Sequence, residues 1–499
     1  MISRVLGFVR DILIASYLGA GPIADAFIVA FRLPNLSRRL FAEGAFNAAF
    51  VPLFSKRYEA QGLIAAKGFA EQTLGVLLFV LVLITVGGEM FMPWLIMVLA
   101  PGFVNEPEKF AVTVLFARIT FPYLLFISLT ALFSGMLNSL GRFAAAAATP
   151  ALLNVAVIGA IIILTPTVPT AGHALVYGVA LAGILQFLAV SWAAHRVGLS
   201  LRLPRPRLTP DVRRLIHLGI PGAIAGGITQ INVMVGTMIA TLEASAASYL
   251  YYSERVYQLP LGLIGVAMGV VLLPTISRQL RAGDADAAMS SQNRALELSM
   301  LLTVPAAAAL IAIPLIIVTV LFERGAFDAA TSQATAAALA AFAVGLPAFV
   351  MIKVFLPGFF AREDTRTPML YAGISVLANI ALSLILFFQI GYLGIPIATS
   401  IASWLNAGLL AYKLIGLGHF KADPRLASRL PRIVLASAGM GVLLWYAAAQ
   451  LQAVWLQSLT AQIIVLFFFV CGGLITFGVL ALLFGAARMA DLRAILGHS

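Results

Sequence analysis

Of 499 residues, 61% are hydrophobic and only 10% charged. Soluble domains are roughly a quarter charged, so a water-soluble globule is excluded. The net charge of +12 would suit nucleic acid, but no nucleic-acid partner is expected, because the basic residues fall in short loops between apolar runs.

Those runs, about 20 residues each, are long enough for a helix to cross the hydrocarbon core and too long for barrel strands of about 10. The pattern therefore predicts an all-α polytopic membrane protein. In chain order, fourteen spans are expected near 1–20, 24–54, 69–98, 110–138, 144–165, 173–195, 214–242, 246–276, 295–321, 331–360, 368–389, 392–412, 433–451 and 460–485. Loops on one side would hold 22 of the 32 basic residues, among them Lys56, Arg57, Arg142, Arg202, Arg205, Arg207, Arg294, Arg425 and Arg429. The opposite loops would hold only Lys109 and Arg324. Positive loops stay in the cytoplasm, so both termini are expected there. Eight basic residues are left inside predicted spans: Arg4, Arg10, Arg32, Arg38, Arg39, Arg118, Arg255 and Lys353.

Other chemistry has little footing in the chain. Cys471 has no second cysteine to pair with, and the five histidines lack metal-binding spacing, so neither a metal nor a cofactor is expected. There is no phosphate-binding GxxxxGK[ST] run, and so no direct use of ATP is predicted. Arg10 and Asp11 interrupt any signal-peptide core, which makes the first residues part of the first span.

An internal echo recurs at about 225 residues. Arg32-Leu-Pro34 is matched by Gln258-Leu-Pro260, Phe121-Pro122 by Leu346-Pro347, and Asn154 by Asn379. It predicts two six-helix lobes, 1–200 and 201–415, related by a pseudo-two-fold axis along the membrane normal. Two added helices would occupy 416–499. In this alignment the first helix is expected to be short by roughly a dozen residues against its counterpart, which begins near Arg214.

The intramembrane charges cluster in the first two spans. Arg4, Arg10, Arg32, Arg38 and Arg39 stand against Asp11, Asp25 and Glu43. A charge in the bilayer centre costs about 2.5–3.5 kcal/mol on insertion scales, so such residues face partners or a cavity. Asp25, Arg32 and Arg39 recur every seven residues and Glu43 follows Arg39 by four, which puts them on one helical stripe, although Pro34 is expected to kink or break it. Snorkelling or purely structural pairing would account for single arginines. The surplus of guanidinium over carboxylate favours an anion, and Arg is suited to phosphate. Glu254 and Arg255 occupy the matching helix of the second lobe.

Five runs carry a family resemblance: SRVLGFVRD at 3–11, ADAFIVAFRLPN at 24–35, RRLFAEGAF at 38–46, YYSERVYQLP at 251–260 and KVFLPGFFAR at 353–362. They resemble the MurJ (MviN) flippases of the multidrug, oligosaccharidyl-lipid and polysaccharide exporter superfamily. The resemblance implies a transporter with no catalytic residues, placed in the bacterial inner membrane and acting in peptidoglycan biosynthesis. Its substrate would be lipid II, an undecaprenyl-diphosphate glycopeptide. The implied binding arginines are Arg4, Arg10, Arg38 and Arg255, joined by Arg39 from the charge count. Asp11, Asp25, Glu43 and Glu254 are the expected charge partners or gate. The last two helices would form a groove for the lipid tail. A monomer is expected, with the cell-wall synthesis machinery as a possible partner. A flippase for another polyprenyl-linked glycan, a drug or cation antiporter, and a non-transporting scaffold remain open alternatives.

Overall fold

The computed structural model describes residues 2–37, 45–451 and 458–487. Among these every regular element is helical and none is a strand. In chain order the helices are α1 (Ile2–Leu18), α2 (Pro22–Ser37), α3 (Ala45–Met90), α4 (Met92–Leu99), α5 (Pro107–Thr120), α6 (Tyr123–Ser139), α7 (Phe143–Leu164), α8 (Ala171–Arg196) and α9 (Pro210–Ala240). They continue as α10 (Ala246–Arg281), α11 (Ala285–Ala312), α12 (Pro314–Phe322), α13 (Ala329–Ala343), α14 (Leu346–Phe360), α15 (Arg366–Ile390), α16 (Gly394–Gly416), α17 (Pro424–Gln450) and α18 (Leu459–Leu483). Among the described residues nine helical stretches are long and apolar enough to cross a membrane, and the stretch 366–416 holds two of the predicted crossings. Lipid offers no partner to backbone groups, so the apolar runs close their hydrogen bonds internally as helices.

The punctuation is local. Helices α4, α5, α9, α12, α14 and α17 carry proline in their first turn, where a missing N–H costs nothing. Thr209, Asp284, Asp328, Asp423 and Ser458 cap their helices by accepting a backbone N–H three residues on.

Four predicted spans are each divided. The breaks fall at Phe91, at Phe121–Pro122, at Ile313 and at Val344–Gly345. Each lies within two residues of a proline (Pro93, Pro122, Pro314, Pro347), and Ile313, which immediately precedes Pro314, leaves helical geometry at φ −130° and ψ 43°. The breaks also repeat. Starts at Pro22, Met92, Pro107, Tyr123, Phe143 and Ala171 recur at Ala246, Pro314, Ala329, Leu346, Arg366 and Gly394, with offsets of 222 to 224 residues. The segment 55–68, expected as a loop, is instead helical within α3, with its bend taken by Gly62 at φ 79°. Helix α2 continues through Pro34 to Ser37. The carbonyl of Ala30, left without the donor that Pro34 lacks, lies 3.4 Å from the Thr120 hydroxyl on α5.

The chain divides into two compact units, one of residues 1–248 with 324–327 and one of 249–323 with 328–499. Helix α9 packs on α3 and α4, which places it in the first unit. In the first unit the rings of Phe50, Phe54 and Phe69 pack with centroids 5.6 Å apart. In the second unit, Leu296, Met300, Val354, Phe355, Phe359 and Leu410 fill one core where α11, α14 and α16 meet. A second core joins α11 and α12 to α17 and α18 through Ile316, Ile433, Met440 and Phe477.

Candidate functional site

Arg10 and Asp11 adjoin on α1. The Arg10 guanidinium donates to Asp11 Oδ1 through Nε at 3.1 Å and Nη2 at 2.7 Å, and through Nη1 to Asn154 Oδ1 at 2.9 Å. Asn154, on α7, in turn donates to the Ser3 carbonyl at 2.9 Å. One amide thus ties α7 to two points of α1 and fixes the direction of the guanidinium. Asp11 is 4% exposed, so the pair is held in a desolvated setting where charged hydrogen bonds are strong.

Asp25, in the first turn of α2, is fully buried. Its Oδ1 accepts from the Ser248 backbone N–H at 3.1 Å and from the Ser248 hydroxyl at 2.6 Å. Its Oδ2 accepts from the Ser245 N–H at 3.1 Å and meets Lys109 Nζ at 3.0 Å. Lys109, at the start of α5, is 6% exposed, lies 4.0 Å from the Phe103 ring centroid and reaches Glu106 at 3.6 Å. The carboxylate therefore clamps the α9–α10 turn, where Ser245 adopts φ 61°, to the starts of α2 and α5. A second close contact closes the same end of this unit. The Ala326 N–H donates to the Ser16 carbonyl at 2.8 Å. Gly19 and Gly325 both have positive φ, and a Cβ on either would stand 2.1 Å from the Ala326 oxygen or 2.3 Å from the Ser16 oxygen, respectively.

In the second unit, Glu254 accepts from Gln258 Nε2 at 2.8 Å and the Arg255 guanidinium lies 4.7 Å over the Tyr251 ring. The neighbouring Tyr257 packs on Phe342 and Phe349. An apolar groove of about 400 Å³ opens between α11 and α17, lined by Ala308, Ile311, Ala312, Gly441, Val442 and Trp445. On α18, Phe467, Phe468, Leu474 and Ile475 are each more than 60% exposed, a face suited to lipid.

Of the residues singled out by sequence, Arg10 and Asp11 form one cluster, Asp25 anchors another, and Glu254 and Arg255 belong to the second unit. Arg4 is exposed on α1 and Arg32 half-buried on α2, while Arg38, Arg39 and Glu43 lie outside the described residues. Arg118 and Lys353 are exposed on their helices. Three partners escaped the sequence reading. Lys109, expected in a loop, is buried against Asp25. Ser248 carries no sequence signal. Asn154 does, through its repeat partner Asn379, which is itself buried. Arg294, Arg425 and Arg429, expected in loops, all converge on Glu297. Arg294 also bridges to Asp423 at 2.6 Å.

A repeated helical unit with buried charges inside lipid-length helices defines a polytopic membrane transporter fold. The solved structure of a MATE family multidrug transporter of the MOP superfamily, facing inward, shares that fold with a TM-score of 0.70 at 14% identity, over 84% of this chain and 95% of the other. The match to "Lipid II flippase MurJ, inward closed conformation" is nearer, with a TM-score of 0.81 at 25% identity over 98% and 97% of the two chains. The family model described as Lipid II flippase MurJ covers residues 14–466. The chain is 49% identical over 450 residues to the probable lipid II flippase MurJ of Rhizobium meliloti, covering 89% of this chain and 84% of that one. It is 35% identical over 449 residues to the lipid II flippase MurJ of Burkholderia cenocepacia, covering 88% and 87%. The chain belongs to the MurJ family.

Proposed function

We propose that this chain is a lipid II flippase of the bacterial inner membrane, a transporter and not an enzyme, that carries the undecaprenyl-diphosphate-linked precursor from the cytoplasmic to the periplasmic leaflet. The observation that carries this reading is the match of residues 14–466 to the lipid II flippase family. The chain works as a monomer beside the cell-wall synthesis machinery, with both termini in the cytoplasm.

The site chemistry suits a diphosphate. Arg4, Arg10, Arg38, Arg39 and Arg255 bind the headgroup. Asp11 and Asn154 hold Arg10 in a fixed direction, which lowers the entropy lost when it grips an anion. Asp25 is balanced by Lys109 rather than by an arginine of α2, so it does not quench the positive surplus on α1 and α2. Asp25 with Ser245 and Ser248 serves as the outer gate, and Asp11, Glu43 and Glu254 serve as charge partners. The two repeats, 1–200 and 201–415, alternate access to the site. The segment 416–499 supplies the tail groove, for which the apolar trough beside Gly441 and Trp445 is suited.

Translocation breaks no covalent bond. An inside-negative potential favours outward movement of anions by about 2.3 kcal/mol per charge per 100 mV. Two uncompensated diphosphate charges would gain roughly 4–5 kcal/mol, enough to bias the cycle without ATP.

The test is complementation by single variants in cells that depend on this chain. Arg10→Ala and Arg255→Ala are expected to insert normally and fail to support growth, while Arg118→Ala supports it. Full activity of Arg10→Glu would remove the anion site and favour a cation antiporter, and Gln in place of either arginine without loss would favour a scaffold.

A further inference from the structure

A pocket of about 200 Å³ lies where the two arms of α3, before and after its bend at Gly62, meet the first turns of α9. The arm before the bend contributes Lys56 and Arg57, the arm after it Phe69, and α9 contributes Asp211 and Arg214. Both helices belong to the first unit.

Two of these charges cancel. The Arg57 guanidinium pairs with the Asp211 carboxylate and lies 5.0 Å from the Phe69 ring centroid, so it is held from two sides. Lys56 and Arg214 are exposed, and neither makes a hydrogen bond or ion pair with another described residue. The pocket is left with a surplus of two positive charges from two different helices. Basic residues beside apolar spans can serve topology without any ligand. Here, however, like charges line one concave pocket, where they repel each other, and an anion between them replaces that repulsion with attraction.

We propose that this pocket binds a dianionic phosphate group, as inorganic phosphate or as a phosphate monoester, held between Lys56 and Arg214. The guanidinium supplies a fork for two phosphate oxygens and the ammonium a point charge. A monoester carries about −1.5 to −2 charges at neutral pH, which matches the surplus, whereas the phosphodiester of a common phospholipid carries about one and leaves a cation over. The volume equals that of roughly six or seven waters, room for a phosphate group with water around it. Bound there, the phosphate ties the bend of α3 to the start of α9, the first helix of the second repeat, and so restrains the connection between the repeats. The site uses none of the headgroup arginines and goes beyond the flippase reading.

The test is thermal unfolding of the purified full chain in detergent at about pH 8, where a monoester has lost its second proton. Chloride, inorganic phosphate, short-chain phosphatidic acid and short-chain phosphatidylglycerol are compared at equal ionic strength. Inorganic phosphate or phosphatidic acid is expected to raise the midpoint by at least about 3 °C, with saturation, as for any ligand that binds only the folded state. Which of the two acts tells a soluble source from a lipid headgroup. Lys56→Gln combined with Arg214→Gln removes two exposed, unpaired side chains, so it should keep its midpoint in chloride and lose the rise, while Arg255→Ala keeps the rise. Equal midpoints in all four conditions, or a rise as large with phosphatidylglycerol, would overturn the proposal. So would a rise that survives in the double variant. If that surviving rise is lost in Arg255→Ala, the phosphate sits among the headgroup arginines, and the flippase reading stands without this pocket.

Discussion

Lys109→Met is expected to be among the most damaging single substitutions outside the arginine set. Lys109 Nζ lies 3.0 Å from Asp25 Oδ2, and neither residue is more than 6% exposed. At that distance an effective dielectric constant of about 20 gives roughly 5–6 kcal/mol of attraction. Three donors from Ser245 and Ser248 would remain on the carboxylate and absorb part of the loss. Breaking a buried pair from one side typically costs about 3–5 kcal/mol, because the surviving charge stays desolvated. At about 2–4 °C per kcal/mol for a unit of this size, the midpoint in detergent should fall by about 6–20 °C. Asp25→Asn combined with Lys109→Met should recover much of that loss, since no uncompensated charge is left. A Lys109→Met midpoint within about 2 °C of the native one, or a double variant whose loss is the sum of the singles, would refute the reasoning.

Glu297→Gln leaves Arg294, Arg425 and Arg429 without their shared carboxylate and should destabilise the α11–α17 contact by about 3–5 kcal/mol, with partial recovery on adding Arg429→Met; unfolding midpoints check both. His419, in the α16–α17 connection, is held below the ordinary histidine value by burial first and by Arg362 second. Its neutral form is favoured in the fold, so its contribution is present above about pH 6.5 and is lost as pH falls through the lower folded value. His419→Gln should flatten the decline of the midpoint between about pH 7 and pH 5. Gly325→Ala would set a Cβ 2.3 Å from the Ser16 carbonyl at φ +61°, and a lower midpoint than that of Gly283→Ala, whose φ is also positive but whose Cβ would meet nothing, separates the clash from the strain.

The fold was largely legible because lipid imposes one rule, a helix for each long apolar run, and because proline punctuates the chain at repeating positions. The echo of Pro122 in Pro347 pointed to a duplication, and the paired helix starts extend it through six elements. What escaped was the division of four spans, since one proline inside a long apolar run lowers its mean hydropathy too little to mark a break. The candidate site was half legible. Arginine in a lipid-length run announces itself by cost, which picked out Arg10 and Arg255. Lys109 did not, because a cation beside Glu106 and Glu108 reads as loop, and its burial depends on Asp25 from 84 residues earlier. Ser248 was invisible for a plainer reason: small hydroxyl residues are common in such helices, and only the fold selects the one that meets a carboxylate.

The central claim, that this chain moves lipid II, is tested most directly by depleting it in cells where it is the sole flippase candidate and measuring the fraction of lipid II reachable from the periplasmic face. The account predicts that exposure collapses on depletion, that the native chain restores it and that Arg255→Ala does not. Unchanged exposure with no second flippase present would contradict the claim, and another polyprenyl-linked glycan would then be the substrate to examine.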